Sequence, residues 1–196
     1  MQKILFVGNS YTYYNDMPTA LFVPKAEAAG FPCQVTAVTR GGWTLAKFAD
    51  PNDEEGARLR SVVEGQQYDW VILQEQSCRP VVNKDAFFRG AEDLKTLLSP
   101  QTDRFLLYAT WGRKPGSEKL EELGMTSEEM TGKLAEAYDE AGCRFDMPVA
   151  HVGKAFAAYL AEHPEEELYN PDRSHPSAKG SEIAAETLLA ALMENC

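Results

Sequence analysis

Five short apolar runs, each followed by a turn and then by a helix-forming stretch, constrain this chain most. The runs occupy 3–7, 34–39, 69–73, 104–109 and 148–152. Helical patterning covers 18–29, 53–64, 85–98, 126–141, 155–162 and 177–193. Pro24 marks a kink or boundary in the first of these. Thr126 and Glu129 stand at capping-box spacing at the start of the fourth. Strands separated by helices need right-handed crossovers, and those crossovers cover a parallel sheet on both faces. The expectation is a three-layer α/β/α, doubly wound, five-stranded parallel sheet of flavodoxin-like order. No repeat, linker or low-complexity tract interrupts the 196 residues, so a single domain over 1–196 is expected. Ligands of such folds bind beyond the carboxyl ends of the strands. The loops that follow the strands are therefore where chemistry should be sought.

Composition narrows the partners. With 30 acidic and 19 basic side chains, the formal charge is −11. Duplex nucleic acid needs a cationic face to displace counterions, so a nucleic-acid partner is not expected. Docking on anionic lipid is disfavoured for the same reason. Nothing approaches the roughly 20 apolar residues of a membrane span. The apolar run at 3–7 is too short for a signal h-region and reads as the first strand. The chain as given reads as cytoplasmic, or as the trimmed form of a secreted or periplasmic protein. Cys33, Cys78, Cys143 and Cys196 form no CxxC pair and read as free thiols, mostly buried. The histidines are scattered without metal-ligand spacing, so neither a metal nor a cofactor is expected.

The post-strand loops carry a consistent set of groups. Gly8-Asn9-Ser10-Tyr11 follows the first strand, and Arg40-Gly41-Gly42-Trp43-Thr44 the second. Gln74-Glu75-Gln76-Ser77-Cys78-Arg79 follows the third, and Thr110-Trp111-Gly112-Arg113 the fourth. Asp172-Arg173-Ser174-His175-Pro176 precedes the last helix. Hydrolysis by serine needs a base for the hydroxyl, an acid to orient that base, and donors for the oxyanion. Ser10 can supply the hydroxyl, His175 the base and Asp172 the acid. Oxyanion donors would be the Ser10 N–H, the Gly42 N–H and a side-chain amide from Gln74 or Gln76. At most one glutamine is expected to face the site, with Gln74 preferred. Taken singly, Ser10 reads as a helix N-cap and Asp172 as a turn cap. Tyr11, Trp43 and Trp111 are the candidate substrate-binding aromatics, and with Tyr13 and Tyr14 they could form a wall that stacks on a sugar or holds a short acyl chain. Arg79 and Arg113 could meet an anionic group. His151 reads as a core histidine, and His163 lies beside a solvated glutamate run.

In order and spacing, these blocks resemble the SGNH (GDSL-like) hydrolases. That family's first block is a strand ending in Gly-Asp-Ser or Gly-Asn-Ser, matched by Val7-Gly8-Asn9-Ser10. Its second block has a glycine after strand two, matched by Gly41-Gly42-Trp43-Thr44. Its last is Asp-x-x-His, commonly followed by Pro and a later Gly, matched by Asp172-Arg173-Ser174-His175-Pro176 with Gly180. The third block departs. The family reads Gly-x-Asn-Asp and uses the Asn as an oxyanion donor, whereas this chain reads Gln74-Glu75-Gln76. Glutamine there, with a Tyr-rich loop after the serine, is similar to a little-characterised bacterial branch. The G-x-S-x-G elbow of the α/β-hydrolases is absent, since Thr12 stands two past Ser10.

The resemblance implies a serine esterase acting through an acyl-enzyme on short acyl groups, acetyl foremost, with a carbohydrate as carrier. Its partner would be a small-molecule or carbohydrate ester. Two alternatives stand beside it. One is a flavodoxin-like FMN-binding electron carrier, suggested by size, acidity and the hydroxyl-bearing first loop. The other is a relative that binds acyl-sugars without turning them over.

Overall fold

The computed structural model describes residues 1–195. Its five strands are β1 (Gln2–Gly8), β2 (Cys33–Thr39), β3 (Trp70–Leu73), β4 (Phe105–Ala109) and β5 (Val149–His151). They form one sheet of order β2-β1-β3-β4-β5. Every pairing is parallel, with Ile4 opposite both Val35 and Trp70, Val71 opposite Phe105, and Leu107 opposite Val149. This is the expected flavodoxin-like order. The order in which strands are added reverses between β1 and β3, which opens a crevice at their carboxyl ends.

The side-chain period of two splits the core into two halves. Ile4, Phe6, Ile72, Leu106 and Tyr108 face one layer with Phe22, Phe156, Ile183 and Leu188. Leu5, Val7, Val71, Leu73 and Leu107 face the other with Phe48, Leu59, Phe87, Leu94 and Tyr138. Full burial of each such side chain stabilises the fold by about 1.5–3 kcal/mol. β3 and β4 are buried throughout, whereas the edge strand β2 is mostly half-buried.

The helices are α1 (Ser10–Tyr13), α2 (Val23–Ala28), α3 (Leu45–Ala49), α4 (Glu54–Val63), α5 (Arg79–Val82) and α6 (Lys84–Leu98). They continue with α7 (Glu118–Leu123), α8 (Ser127–Phe145), α9 (Val152–Glu162) and α10 (Ala178–Glu194). The single helix expected over 18–29 is two pieces, a wide turn over Met17–Phe22 and then α2. Pro24 stands at the start of α2, where its missing N–H breaks the hydrogen-bond ladder. α8 carries the expected Thr126–Glu129 capping box but runs on to Phe145, ending at Asp146 in the left-handed region (φ 51°). The short helices α3, α5 and α7 lie in what the sequence pattern left as loop. Cys33 and Cys78 are buried and Cys143 is exposed; Cys196 lies outside the described residues.

Candidate active site

Five post-strand segments converge at the crevice. β1 ends in Gly8, whose missing side chain leaves space that a Cβ would take from Gln74 Oε1, 2.8 Å away. Asn9 then caps α1, accepting from the Tyr11 N–H (3.2 Å), while its Nδ2 donates to the Trp43 carbonyl (3.1 Å). The cap is therefore Asn9 and not Ser10. The Ser10 hydroxyl is left for another partner, and the nucleophile turn is tied to the loop after β2.

That partner is His175, with Nε2 2.8 Å from Ser10 Oγ. His175 Nδ1 lies 2.5 Å from Asp172 Oδ2. The other Asp172 oxygen accepts from the N–H groups of Ser174 and His175, each at 3.0 Å. Asp172 thus caps a turn and orients the imidazole at once. Burial acts to raise the Asp172 carboxyl, but the hydrogen bonds from the His175 ring and from the two backbone N–H groups prevail and hold it below its ordinary range. Arg173 lies in the left-handed region (φ 59°), which turns the loop tightly enough for the side chains of Asp172 and His175 to meet.

The histidine loop is pinned from beneath by Ser174. Its Oγ pairs with the Tyr11 hydroxyl (2.9 Å), and its carbonyl accepts from Trp111 Nε1 (3.1 Å). From the side, Asn15 Nδ2 donates to the carbonyls of Pro176 and Ser177 and to Ser181 Oγ (3.2, 3.1 and 2.8 Å). Asn15 holds φ 55° to make this reach.

Of the expected aromatic wall, Tyr11 lines the cleft beside Ser10, whereas Trp43 and Trp111 do not. Tyr11 and Trp111 are buried and stack face to face at 4.5 Å, and Trp111 stacks in turn on Phe156 at 4.3 Å. Both polar tips are satisfied by Ser174, so the stack braces the histidine loop. Trp43 is half-buried away from Ser10; its Nε1 donates to Asp53 and its ring lies under Lys47. The rings on the outer side are Tyr14, stacked on His175 at 4.2 Å, and Tyr13, which is exposed.

The cleft beside Ser10 encloses about 200 Å³ and is lined by Gly42, Gln76, Ser77, Arg113 and His175, among others. Gly42, on the cleft lining, takes φ 73°, a left-handed conformation that glycine adopts without strain. The two glutamines separate cleanly. Gln74 is buried, and its Oε1 accepts from the Asn9 N–H and the Thr12 hydroxyl (both 2.9 Å). Its Nε2 donates back to the Glu75 carbonyl. Gln74 lies behind the nucleophile turn and does not line the cleft. Gln76 does, and its Oε1 accepts from the N–H groups of Cys78 (2.9 Å) and Arg79 (3.1 Å). Only an oxygen can accept from backbone N–H, so this contact turns the amide NH₂ the other way.

Sequence reasoning missed Glu75. Its fully buried carboxylate accepts from the N–H groups of Leu45 (3.3 Å) and Gln76 (2.5 Å), joining the loops after β2 and β3. Burial pushes it up to about 7, against those hydrogen bonds and nearby Arg79. Arg79 is half-buried and does not line the cleft, whereas Arg113 does. His151 pairs with Asp139 at 2.8 Å, remote from Ser10, and His163 packs on Tyr159. A larger depression of about 840 Å³ between α8 and α9 holds neither Ser10 nor His175.

A solved protein of Slackia heliotrinireducens assigned to the SGNH hydrolases is 31% identical, with TM-score 0.84, over 97% of this chain and 98% of its own. The chain belongs to the SGNH hydrolases. Two more distant structures share this fold. A DUF4886 family protein of Bacteroides uniformis has TM-score 0.73 at 14% identity, covering 98% of this chain and 83% of its own. An acetylxylan esterase of Geobacillus stearothermophilus has TM-score 0.65 at 17% identity, covering 97% and 94%. Neither a protein-family model nor a curated protein matches the chain. As an SGNH hydrolase the chain is an enzyme of the serine-hydrolase type, and the electron-carrier alternative gives way. Among the described residues, no helix is long and apolar enough to cross a membrane.

Proposed function

We propose that this SGNH hydrolase is a serine esterase that removes short acyl groups, acetyl foremost, from a carbohydrate or similar small carrier. The observation that carries the reading is the hydrogen-bonded series Ser10–His175–Asp172 opening on the 200 Å³ cleft. That volume is below the roughly 300–1,000 Å³ of sites built for larger ligands, which favours a small acyl group. The acetylxylan esterase that shares the fold is consistent with a sugar carrier.

Ser10 Oγ attacks the ester carbonyl as His175 Nε2 takes its proton. Asp172 holds the Nδ1–H tautomer and stabilises the imidazolium that forms. The carbonyl oxygen, now an oxyanion, accepts from the N–H groups of Ser10 and Gly42 and from Gln76 Nε2. His175 returns its proton to the leaving alcohol, and an acyl-Ser10 remains. Water then attacks that ester with His175 as base, releasing the acid and restoring Ser10. Asp172, held below the ordinary carboxylate range, stays ionised through the neutral range in which this base must work.

Hydrolysis of 4-nitrophenyl acetate, butyrate and octanoate by the wild type and by Ser10→Ala tests the reading. The expected result is turnover of acetate and butyrate above octanoate, reduced by about 10⁴-fold or more in Ser10→Ala. Equal turnover by the two proteins overturns it.

A further inference from the structure

One cation in the cleft has no part in the chemistry just described. Arg113 lines the cavity with Ser10 and His175, on the segment that follows β4. Its backbone is fixed, because the preceding Gly112 N–H donates to Thr131 Oγ1 (3.0 Å) and its carbonyl accepts from the Tyr169 hydroxyl (3.1 Å). The guanidinium is anchored at one nitrogen only. Nη2 donates to Ser77 Oγ (2.9 Å) and lies 3.8 Å from Cys78 Sγ, while the guanidinium carbon sits 5.8 Å from the centre of the Tyr11 ring.

The rest of the guanidinium is unused. Nε is buried and donates to nothing, and Arg113 pairs with no carboxylate among the described residues. The chain has 30 carboxylate side chains, and three stand on the adjoining groove that Arg113 also lines. Of those, Asp172 is committed to His175 and Glu122 to Lys119, and Glu118, the third, makes no ion pair with Arg113. A half-buried charge is normally compensated from within. Here it is presented, on a fixed stem, to the space the ester would occupy.

A guanidinium fork fits one kind of anion best at short range, a planar carboxylate held by parallel N–H bonds. We infer that Arg113 recognises a carboxylate on the substrate itself, a few bonds from the scissile ester. The substrate class is then an acidic ester. The carboxylate belongs either to the acyl group, as in a dicarboxylic hemiester, or to the carrier, as in an acylated uronic acid. This inference rests on the esterase reading and narrows its substrate.

Two matched pairs test it in a pH-stat. Monoethyl succinate against ethyl butyrate places the charge on the acyl side, and acetylated glucuronate against acetylated glucose places it on the carrier. Wild type is expected to favour the charged member of one pair by tenfold or more in kcat/KM, and added salt should shrink that preference. Arg113→Gln should lower the charged-to-neutral ratio at least tenfold, and Arg113→Lys should restore part of it. If Arg113→Gln lowers both members of each pair alike, or wild type favours neither acid, the inference falls while the esterase reading stands. If wild type hydrolyses none of the four, the esterase reading falls. Thermal stabilisation by succinate and glucuronate then decides for Arg113: stabilisation lost in Arg113→Gln supports it, and equal or absent stabilisation overturns it.

Discussion

The two flanks of the cleft are assembled on opposite principles. On the Ser10–His175 flank, side chains meet one another directly, and the reactive atoms sit at hydrogen-bond distance. On the Gly42–Gln76 flank the useful groups are held loosely in front, where Gln76 Nε2 makes only a long contact to Ser77 Oγ (3.4 Å). They are held from behind, Gln76 through its oxygen on the N–H groups of Cys78 and Arg79, and the loops themselves through Glu75. The difference follows from the chemistry. A nucleophile and its base must touch before reaction, whereas an oxyanion donor must be left unsatisfied until charge develops.

The comparison can be broken at its sharpest point with Gln76→Glu. The carboxylate keeps the acceptor for Cys78 and Arg79 but removes the NH₂ donor. Turnover should fall by roughly 10²–10³-fold with the thermal midpoint little changed. A variant that keeps wild-type turnover would remove Gln76 from the oxyanion site. Gln74→Ala should do the reverse. It strands the buried Asn9 N–H and Thr12 hydroxyl, at about 1–3 kcal/mol each. Differential scanning calorimetry should show a midpoint lower by roughly 5–15 °C, with kcat of the folded protein less affected than in Gln76→Glu. A large kcat loss at unchanged stability would reverse the assignment of the two glutamines.

Glu75→Gln sharpens the comparison through pH. The folded carboxyl titrates near 7, above its ordinary 4.5, so the folded state binds the extra proton between those values. Its contribution to stability is therefore largest at low pH and declines as pH rises from about 4.5 to 7. A glutamine cannot titrate. Between pH 5 and 8 the wild type should lose up to about 3 kcal/mol relative to Glu75→Gln. Parallel stability curves for the two proteins would show that Glu75 is ordinary in the fold.

Much of this was legible in the sequence, and the reasons are local. Five β-α units dictate the sheet, and a post-strand serine with Asp-x-x-His before the last helix names the reactive flank. The choice between Gln74 and Gln76 was not legible. Residues two apart on a strand share a face, so the pleat cannot separate them. β3 in any case ends at Leu73, and hydrogen bonds to distant backbone decide their directions. The aromatics divide between core and site for a related reason. Tyr11 lies next to Ser10 in sequence but about 100° round the helical turn, which points it inward. Tyr13 and Tyr14, three and four residues on, share the face of Ser10, so that part of the expected wall stands on the outer side. Glu75 and Asn15 left no trace in the pattern, because each acts on backbone far away along the chain.

Because Asp172 and His175 are three residues apart on one loop, the acid and the base form a single mechanical part. Moving that loop cannot separate the imidazole from its carboxylate; it changes one coordinate, the gap between Nε2 and Ser10 Oγ. The hydroxyl of Tyr11, the indole of Trp111 and the amide of Asn15 are the fasteners that set this gap. A ligand or substitution that loosened any of them would detune the enzyme by distance alone, with the ionisation and tautomer of the base intact.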